Sequence, residues 1–203
     1  IIMISKVAVM VEVFVIKGMS NSYLTSDGVL IDAGVRVDDV MRIAREHGID
    51  VKYLFITHYH IDHIRYAHDI VKAFNCRVVS SIPESGVIEG RERPRSAGVL
   101  QSIISALIRV RPVSVDVKVN DGDVVEGYEA IYAPGHTPGS TAYFKDGLLF
   151  TGDAVVEHGG KPSLPPRRFT LNMDEAVRSF NKLLSLRPRI IYPGHGSPIT
   201  LGT

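Results

Sequence analysis

Between positions 58 and 63 the chain reads His58-Tyr59-His60-Ile61-Asp62-His63, three imidazoles and a carboxylate directly behind the apolar run Tyr53-Leu54-Phe55-Ile56. In an extended segment, residues two apart project to the same side. His58 and His60 can therefore converge on one cation, while Asp62 and His63 lie further along the turn. One loop can thus serve two metals. Neutral imidazole and carboxylate suit zinc, iron and manganese, and a centre with vacant coordination positions lowers the pKa of a bound water towards about 7. That chemistry yields a hydroxide nucleophile near neutral pH. A solvated histidine-rich turn is the alternative, and for one His or a pair it is the better reading. A chance match to H-x-H-x-D-H, however, is expected on the order of once in a thousand such chains. The metal reading requires further ligands elsewhere.

Four residues meet that requirement, and each follows an apolar stretch that reads as a strand: Asp32 after Val29-Leu30-Ile31, His136 after Ile131-Tyr132-Ala133-Pro134-Gly135, Asp153 after Leu149-Phe150-Thr151-Gly152, and His195 after Ile190-Ile191-Tyr192-Pro193-Gly194. Loops at one sheet edge are where a rigid scaffold presents chemistry. Glycine precedes three of them, and a residue without Cβ lets the backbone approach a crowded centre. Taken singly, each is as well explained as a turn residue or a surface histidine. Together with the first cluster, and each after a strand, they form a constellation that those separate readings do not anticipate.

Strand patterns at Val7–Ile16, Ser22–Thr25, Val29–Asp32 and Tyr53–Ile56 fill the first half, with a helical period over Val37–His47 closed by Gly48. A second helical period runs from Ile64 to Phe74, before an extended Cys76–Ser80. From Pro83 to Arg111 the signal is mixed and reads as a surface excursion, with a helix over Ala97–Ile108. Strands return at Val113–Val119, Tyr128–Ala133, Thr141–Phe144 and Leu148–Thr151. A Gly/Pro-rich loop (159–166) follows, then a helix Met173–Leu186 capped by Asn172. With 203 residues, 45% of them hydrophobic, one compact domain spanning 1–203 is expected. A net charge of +1 supplies no field for nucleic acid or acidic lipid, so a small-molecule substrate is expected. Cys76, the single cysteine, excludes an internal disulfide and reads as buried packing. The apolar opening is too short to span a bilayer, which points to a buried strand and a cytoplasmic protein.

On these motifs the chain resembles the metallo-β-lactamase-fold hydrolases. His58-x-His60-x-Asp62-His63, Pro134-Gly135-His136-Thr137-Pro138-Gly139-Ser140, Phe150-Thr151-Gly152-Asp153 and Pro193-Gly194-His195-Gly196 are most similar to the glyoxalase II-like branch. The resemblance implies an α/β fold, a four-layer αββα sandwich with two zinc ions in a cleft along the shared edge of two sheets; iron, manganese or a mixed Fe/Zn pair are the alternatives. It assigns His58, His60 and His136 to the first metal and Asp62, His63 and His195 to the second, with Asp153 bridging. It also places Asp32 behind a ligand histidine, which it orients. A metal-bridging hydroxide would then cleave an ester, thioester, lactone or similar small substrate, with Asp62 and Asp153 as the catalytic carboxylates and no serine or cysteine nucleophile.

Ile64-Arg65-Tyr66 departs from the small residues common in relatives. Only eight residues follow His195, too few for the helical domain with which glyoxalase II holds glutathione, so that activity is not expected. His158, Arg168 and Phe169, between two ligands in sequence, are candidate substrate contacts, and Tyr59 reads as packing. Persulfide dioxygenases resemble the same branch and use one iron at the positions of His58, His136 and Asp153, which makes them the alternative class. A nuclease of the ribonuclease Z type shares the His58–His63 pattern. The near-neutral charge argues against it, Arg91, Arg93 and Arg95 being the one local basic patch.

Overall fold

The structure, a computed structural model, describes residues 11–98 and 110–202. Strands β1 (Val13–Lys17), β2 (Asn21–Thr25) and β3 (Val29–Ile31) form an antiparallel meander, which β4 (Tyr53–Phe55), β5 (Arg77–Ser81) and β6 (Val117–Val119) extend in parallel to a six-stranded sheet. Parallel neighbours cannot be joined by a tight turn, so the connections carry helices. These are α1 (Val37–His47) between β3 and β4, α2 (Ile61–Ile64) and α3 (Ala67–Phe74) between β4 and β5, and α4 (Ile82–Ile88) after β5.

The second sheet contains β7 (Val124–Val125), β8 (Tyr128–Tyr132), β9 (Thr141–Lys145), β10 (Leu148–Gly152), β13 (Ile190–Pro193) and β14 (Ile199–Thr200). Its spatial order is β14-β13-β10-β9-β8-β7. Helix α5 (Met173–Ser185) serves the crossover from β10 to its parallel neighbour β13, preceded by a small hairpin of β11 (Val156–His158) with β12 (Lys161–Ser163) and a 3₁₀ turn at Arg167–Phe169.

The period of two along the strands builds the layers. Tyr23, Ile31, Phe55 and Val79 of the first sheet meet Tyr128, Tyr143, Phe150 and Tyr192 of the second in a buried core between the sheets. Their neighbours Leu24, Leu30, Leu54 and Val78 point the other way, onto Val40 and Ala44 of α1 and Ile70 of α3. On the far side Ile131, Ala142, Leu149 and Ile191 pack beneath Leu183 of α5. The result is the four-layer αββα sandwich. Each large apolar side chain buried this way contributes about 1.5–3 kcal/mol.

Local chemistry closes the elements where expected. Gly48, at φ 64°, ends α1, and the Asn172 side chain accepts from the N–H groups of Asp174 and Glu175 at 3.1 and 3.2 Å to start α5. Asp146 and Gly147 both take positive φ in the turn between β9 and β10.

The structure differs from the sequence reading in several places, and the helical period at Ile64–Phe74 is one: it breaks at Arg65 and Tyr66, between α2 and α3. The Gly159-Gly160 stretch is a hairpin turn rather than a loop, since both glycines take positive φ and so return β11 onto β12. Of Val113–Val119 only Val117–Val119 is strand. The excursion after Pro83 begins with α4, whose Glu84, Ser85 and Ile88 are buried rather than lying over the surface. The strand pattern at Val7–Met10 and most of the helical pattern at Ala97–Ile108 lie outside the described residues. No helix among the described residues is long and apolar enough to cross a membrane.

Candidate metal centre

Strand direction gathers the candidate ligands. In the first sheet β3 and β4 run in parallel, so Asp32 and His58 leave the same edge. In the second, β10 and β13 are parallel, and β8 shares their direction because β9 lies antiparallel between β8 and β10. His136, Asp153 and His195 therefore emerge together. Bonds between the sheets join the two edges: Thr141 N–H donates to Thr57 O at 3.0 Å, and Asn21 N–H to Gly194 O at 2.8 Å.

Seven side chains converge there. His60 Nδ1 lies 3.1 Å from His58 Nε2 and 2.8 Å from His136 Nε2, which makes one group of three imidazoles. Asp62, His63 and His195 make a second group, with Asp62 Oδ2 3.0 Å from His195 Nε2 and 3.7 Å from His63 Nε2. Asp153 sits between the two. Its Oδ1 is 3.3 Å from His63 Nε2, and its Oδ2 is 3.4 Å from His136 Nε2 and 3.7 Å from His195 Nε2.

Two buried atoms test whether this arrangement suits a cation. His63 Nε2 and Asp153 Oδ1 are shielded from solvent and make no hydrogen bond, although leaving such atoms unsatisfied costs about 1–3 kcal/mol each. Both point inward, where a cation would satisfy them. At three of the five imidazoles the protonation state fits as well. Burial holds the His58 and His136 imidazoles below their ordinary value and pushes His60 down to about 3, so all three are neutral, the ligating form, at pH 7. Burial alone would raise Asp153, but the imidazoles around it, His63 foremost, hold its carboxyl well below the usual range.

His63 is turned by Asp32. Asp32 Oδ2 accepts from His63 Nδ1 at 2.7 Å, which directs Nε2 to the centre. The same carboxylate accepts from Thr57 N–H and Thr57 Oγ1, both at 2.8 Å, and so fixes the root of the histidine loop. Burial disfavours the His63 cation, but the carboxylates of Asp32, Asp153 and Asp62 outweigh it and hold the imidazole well above its ordinary value. At His195, the hydrogen bond to Asp62 raises the imidazole.

Glu84, on α4, carried no sequence signal: it is a lone glutamate in a stretch of mixed pattern. It is fully buried and accepts from Tyr59 N–H at 2.8 Å, Thr137 Oγ1 at 2.9 Å and Gly139 N–H at 2.7 Å. One carboxylate thereby joins the loop of His58 and His60 to the loop of His136. Tyr59 itself packs in the core, its hydroxyl donating to Arg95 O at 2.9 Å. Cys76 is buried and its thiol is pushed up to about 11 by that burial.

A cavity of about 730 Å³ opens over the centre, reaching His60, Asp62, His136, Asp153 and His195 of the seven. His158 and Phe169 line it, together with Met19, Ile61 and Leu164, which sequence patterns did not single out. Arg168 is not among the lining residues; its guanidinium lies 4.8 Å from the Phe169 ring centroid.

A family model described as the metallo-beta-lactamase superfamily matches residues 15–195. The chain belongs to that superfamily. Within this metallo-β-lactamase superfamily it is 30% identical to a probable metallo-hydrolase, YflN, of Bacillus subtilis, over 89% of this chain and 77% of that protein. It is likewise 30% identical to a hydroxyacylglutathione hydrolase of Vibrio cholerae, over 83% of this chain but only 57% of the enzyme. Among solved structures, TTHA1623 in a di-iron-bound form superposes with a TM-score of 0.73 at 22% identity, covering 93% of this chain and 94% of that one. Metallo-β-lactamase superfamily members bind divalent metals, and the seven converging residues include groups of three whose donor atoms lie close enough together to hold such an ion.

Close approach of backbone is a condition of this centre. A Cβ built on Gly194 would press on Asp153 Oδ1 and come within 2.6 Å of His63 Cε1. Gly194→Ala is expected to lower the metal retained through desalting to less than about half, because both crowded atoms belong to inward-facing groups. Metal analysis of the variant beside the parent checks this, and parental metal content would contradict the packing argument.

Proposed function

We propose that this chain is a two-metal hydrolase that cleaves an ester, thioester, lactone or similar small substrate, with zinc as the metal. The carrying observation is the position of Asp153, whose carboxylate reaches both groups of three ligands, Oδ1 towards His63 and Oδ2 towards His136 and His195. A pair of divalent cations would supply Lewis acidity there, lowering the pKa of water towards about 7 and polarising the acyl oxygen of the substrate.

The chain's own residues prepare the rest. His58, His60 and His136, kept neutral by burial, offer lone pairs to one side of the centre. Burial opposes ionisation of Asp62, but His63 and His195 hold its carboxyl below the ordinary range, so it remains an acceptor able to orient a water at the cavity floor. His158 and Phe169, on the lining, remain the candidate substrate contacts.

The one-iron dioxygenase reading needs only His58, His136 and Asp153. Assembly of Asp62, His63 and His195 into a second group favours the two-metal hydrolase instead. Metal analysis of protein purified without added metal separates the two: about two zinc per chain supports hydrolysis, and about one iron supports dioxygenation. His58→Ala is expected to remove metal and hydrolysis together, with a loss of activity of at least about a hundredfold. Undiminished turnover of every hydrolysable substrate would refute the assigned centre.

A further inference from the structure

The wall of the cavity carries information that the ligand set does not. Away from the candidate ligands its apolar part is formed by Met19, Ile61, Val156, Leu164, Pro166 and Phe169, beside the polar Glu157, His158 and Ser163. Met19 is 46% exposed and Leu164 37%, large apolar side chains held at an open mouth where they cost solvation unless something apolar covers them. Among the described residues, no lysine or arginine lines the space.

Arg168 lies over the Phe169 ring, and Lys17 Nζ donates to Gly196 O at 3.4 Å on the exposed side of the His195 loop. The charged group that does reach the lining, apart from the centre itself, is the Glu157 carboxylate. It accepts from Gly160 N–H at 2.6 Å and Ser197 N–H at 3.2 Å. The first bond lies within the β11–β12 hairpin, and the second ties that hairpin to the His195 loop.

A ligand anion placed beyond the metal centre would therefore meet a mostly apolar surface and the like charge of Glu157, with only Ser163 and the His158 imidazole as further polar groups and, among the described residues, no lysine or arginine to offset its desolvation. We propose that the cavity selects an uncharged ester or thioester with an apolar acyl or aryl group, the acyl chain lying against the wall of Leu164, Phe169 and Met19. This rests on the hydrolase reading for the reaction, and on the lining alone for the selectivity. A volume of about 730 Å³ suits such a ligand, since small-molecule pockets span about 300–1,000 Å³.

The test uses non-hydrolysable thioethers, so that binding is read apart from turnover. S-butyl, S-hexyl and S-octyl derivatives of N-acetylcysteamine, which are neutral, are titrated calorimetrically into the full chain as purified, beside the same S-alkyl groups on glutathione, which carry two carboxylates. Affinity in the neutral series is expected to rise up to about fourfold per methylene. The neutral octyl ligand is expected to bind at least about tenfold more tightly than S-octylglutathione. Leu164→Arg, at a part-exposed position that tolerates the change, is expected to erase or invert that preference. Equal or tighter binding of the glutathione series, affinity independent of chain length, or no binding of either series would each overturn the proposal. Hydrolysis of the matching thioesters is measured in parallel. The expected binding order without any turnover would remove the hydrolase reading and leave the selectivity, whereas turnover with the reverse order would do the opposite.

Discussion

Replacing Asp32 with alanine is expected to cost the fold about 4 kcal/mol, a large share of the roughly 5–15 kcal/mol that holds a domain of this size together. Three buried donors share this carboxylate: Thr57 N–H, Thr57 Oγ1 and His63 Nδ1. Each left without an acceptor costs about 1–3 kcal/mol, less than additively because Thr57 Oγ1 also lies 3.1 Å from His58 Nδ1. Asp32 also sits at φ 60°, a left-handed conformation that aspartate tolerates better than alanine. Denaturant unfolding of the metal-free variant reads the loss, and a change below about 1 kcal/mol would show that the network is dispensable. Asp32→Asn separates stability from ligand orientation. The amide keeps an acceptor for Thr57 N–H but puts its nitrogen where Oδ2 met Thr57 Oγ1 and His63 Nδ1, and the N–H presented to Nδ1 drives the imidazole proton to Nε2, the atom facing Asp153. That variant is expected to stay folded while losing at least about tenfold in metal affinity.

Glu84→Ala is expected to cost about 3 kcal/mol and to lower metal content as well, because the same oxygens hold Tyr59, beside His58 and His60, and Thr137 and Gly139, beside His136. A variant within about 0.5 kcal/mol of the parent and fully metallated would sink this role. The carboxyl also leaves a signature in pH. Burial pushes it up to about 7 from its ordinary 4.5, with the donors of Thr137, Tyr59 and Gly139 pulling the other way. The folded chain therefore holds a proton that the unfolded chain releases between those values. The stability this group contributes is full below about 4.5 and is lost as pH rises through about 7. Glu84→Gln cannot ionise, so the stability difference between parent and variant is expected to change over that window and to level off above it. A difference independent of pH would show that the carboxyl titrates normally.

Both carboxylates do the same physical work, fastening a ligand loop from behind, yet only Asp32 could be found in the sequence. Asp32 directly follows Val29-Leu30-Ile31, a strand whose partner register against Tyr53–Phe55 carries it beside Thr57. Glu84 lies 53 and 55 positions from Thr137 and Gly139, on a helix with no marked pattern, and reaches them only because the two sheets pack face to face. The hairpin at Val156–Ser163 was missed for a different reason. Gly-Gly and Pro162 read as loop punctuation, and the positive φ values that turn the pair into a hairpin are a backbone outcome.

The amino-acid sequence by itself determined the donor types, their order along the chain and their places after apolar strands, because side-chain chemistry and the alternation of strand residues are local properties. Only the tertiary structure decided that Asp153 lies between two groups of ligands, that Glu84 joins two loops, and that the cavity is mostly apolar and without a lysine or arginine among the described residues. These depend on which strands become neighbours and on the direction in which they run. That choice is made by burying the face of one sheet against the other, a sum over many residues that no single stretch of the chain contains.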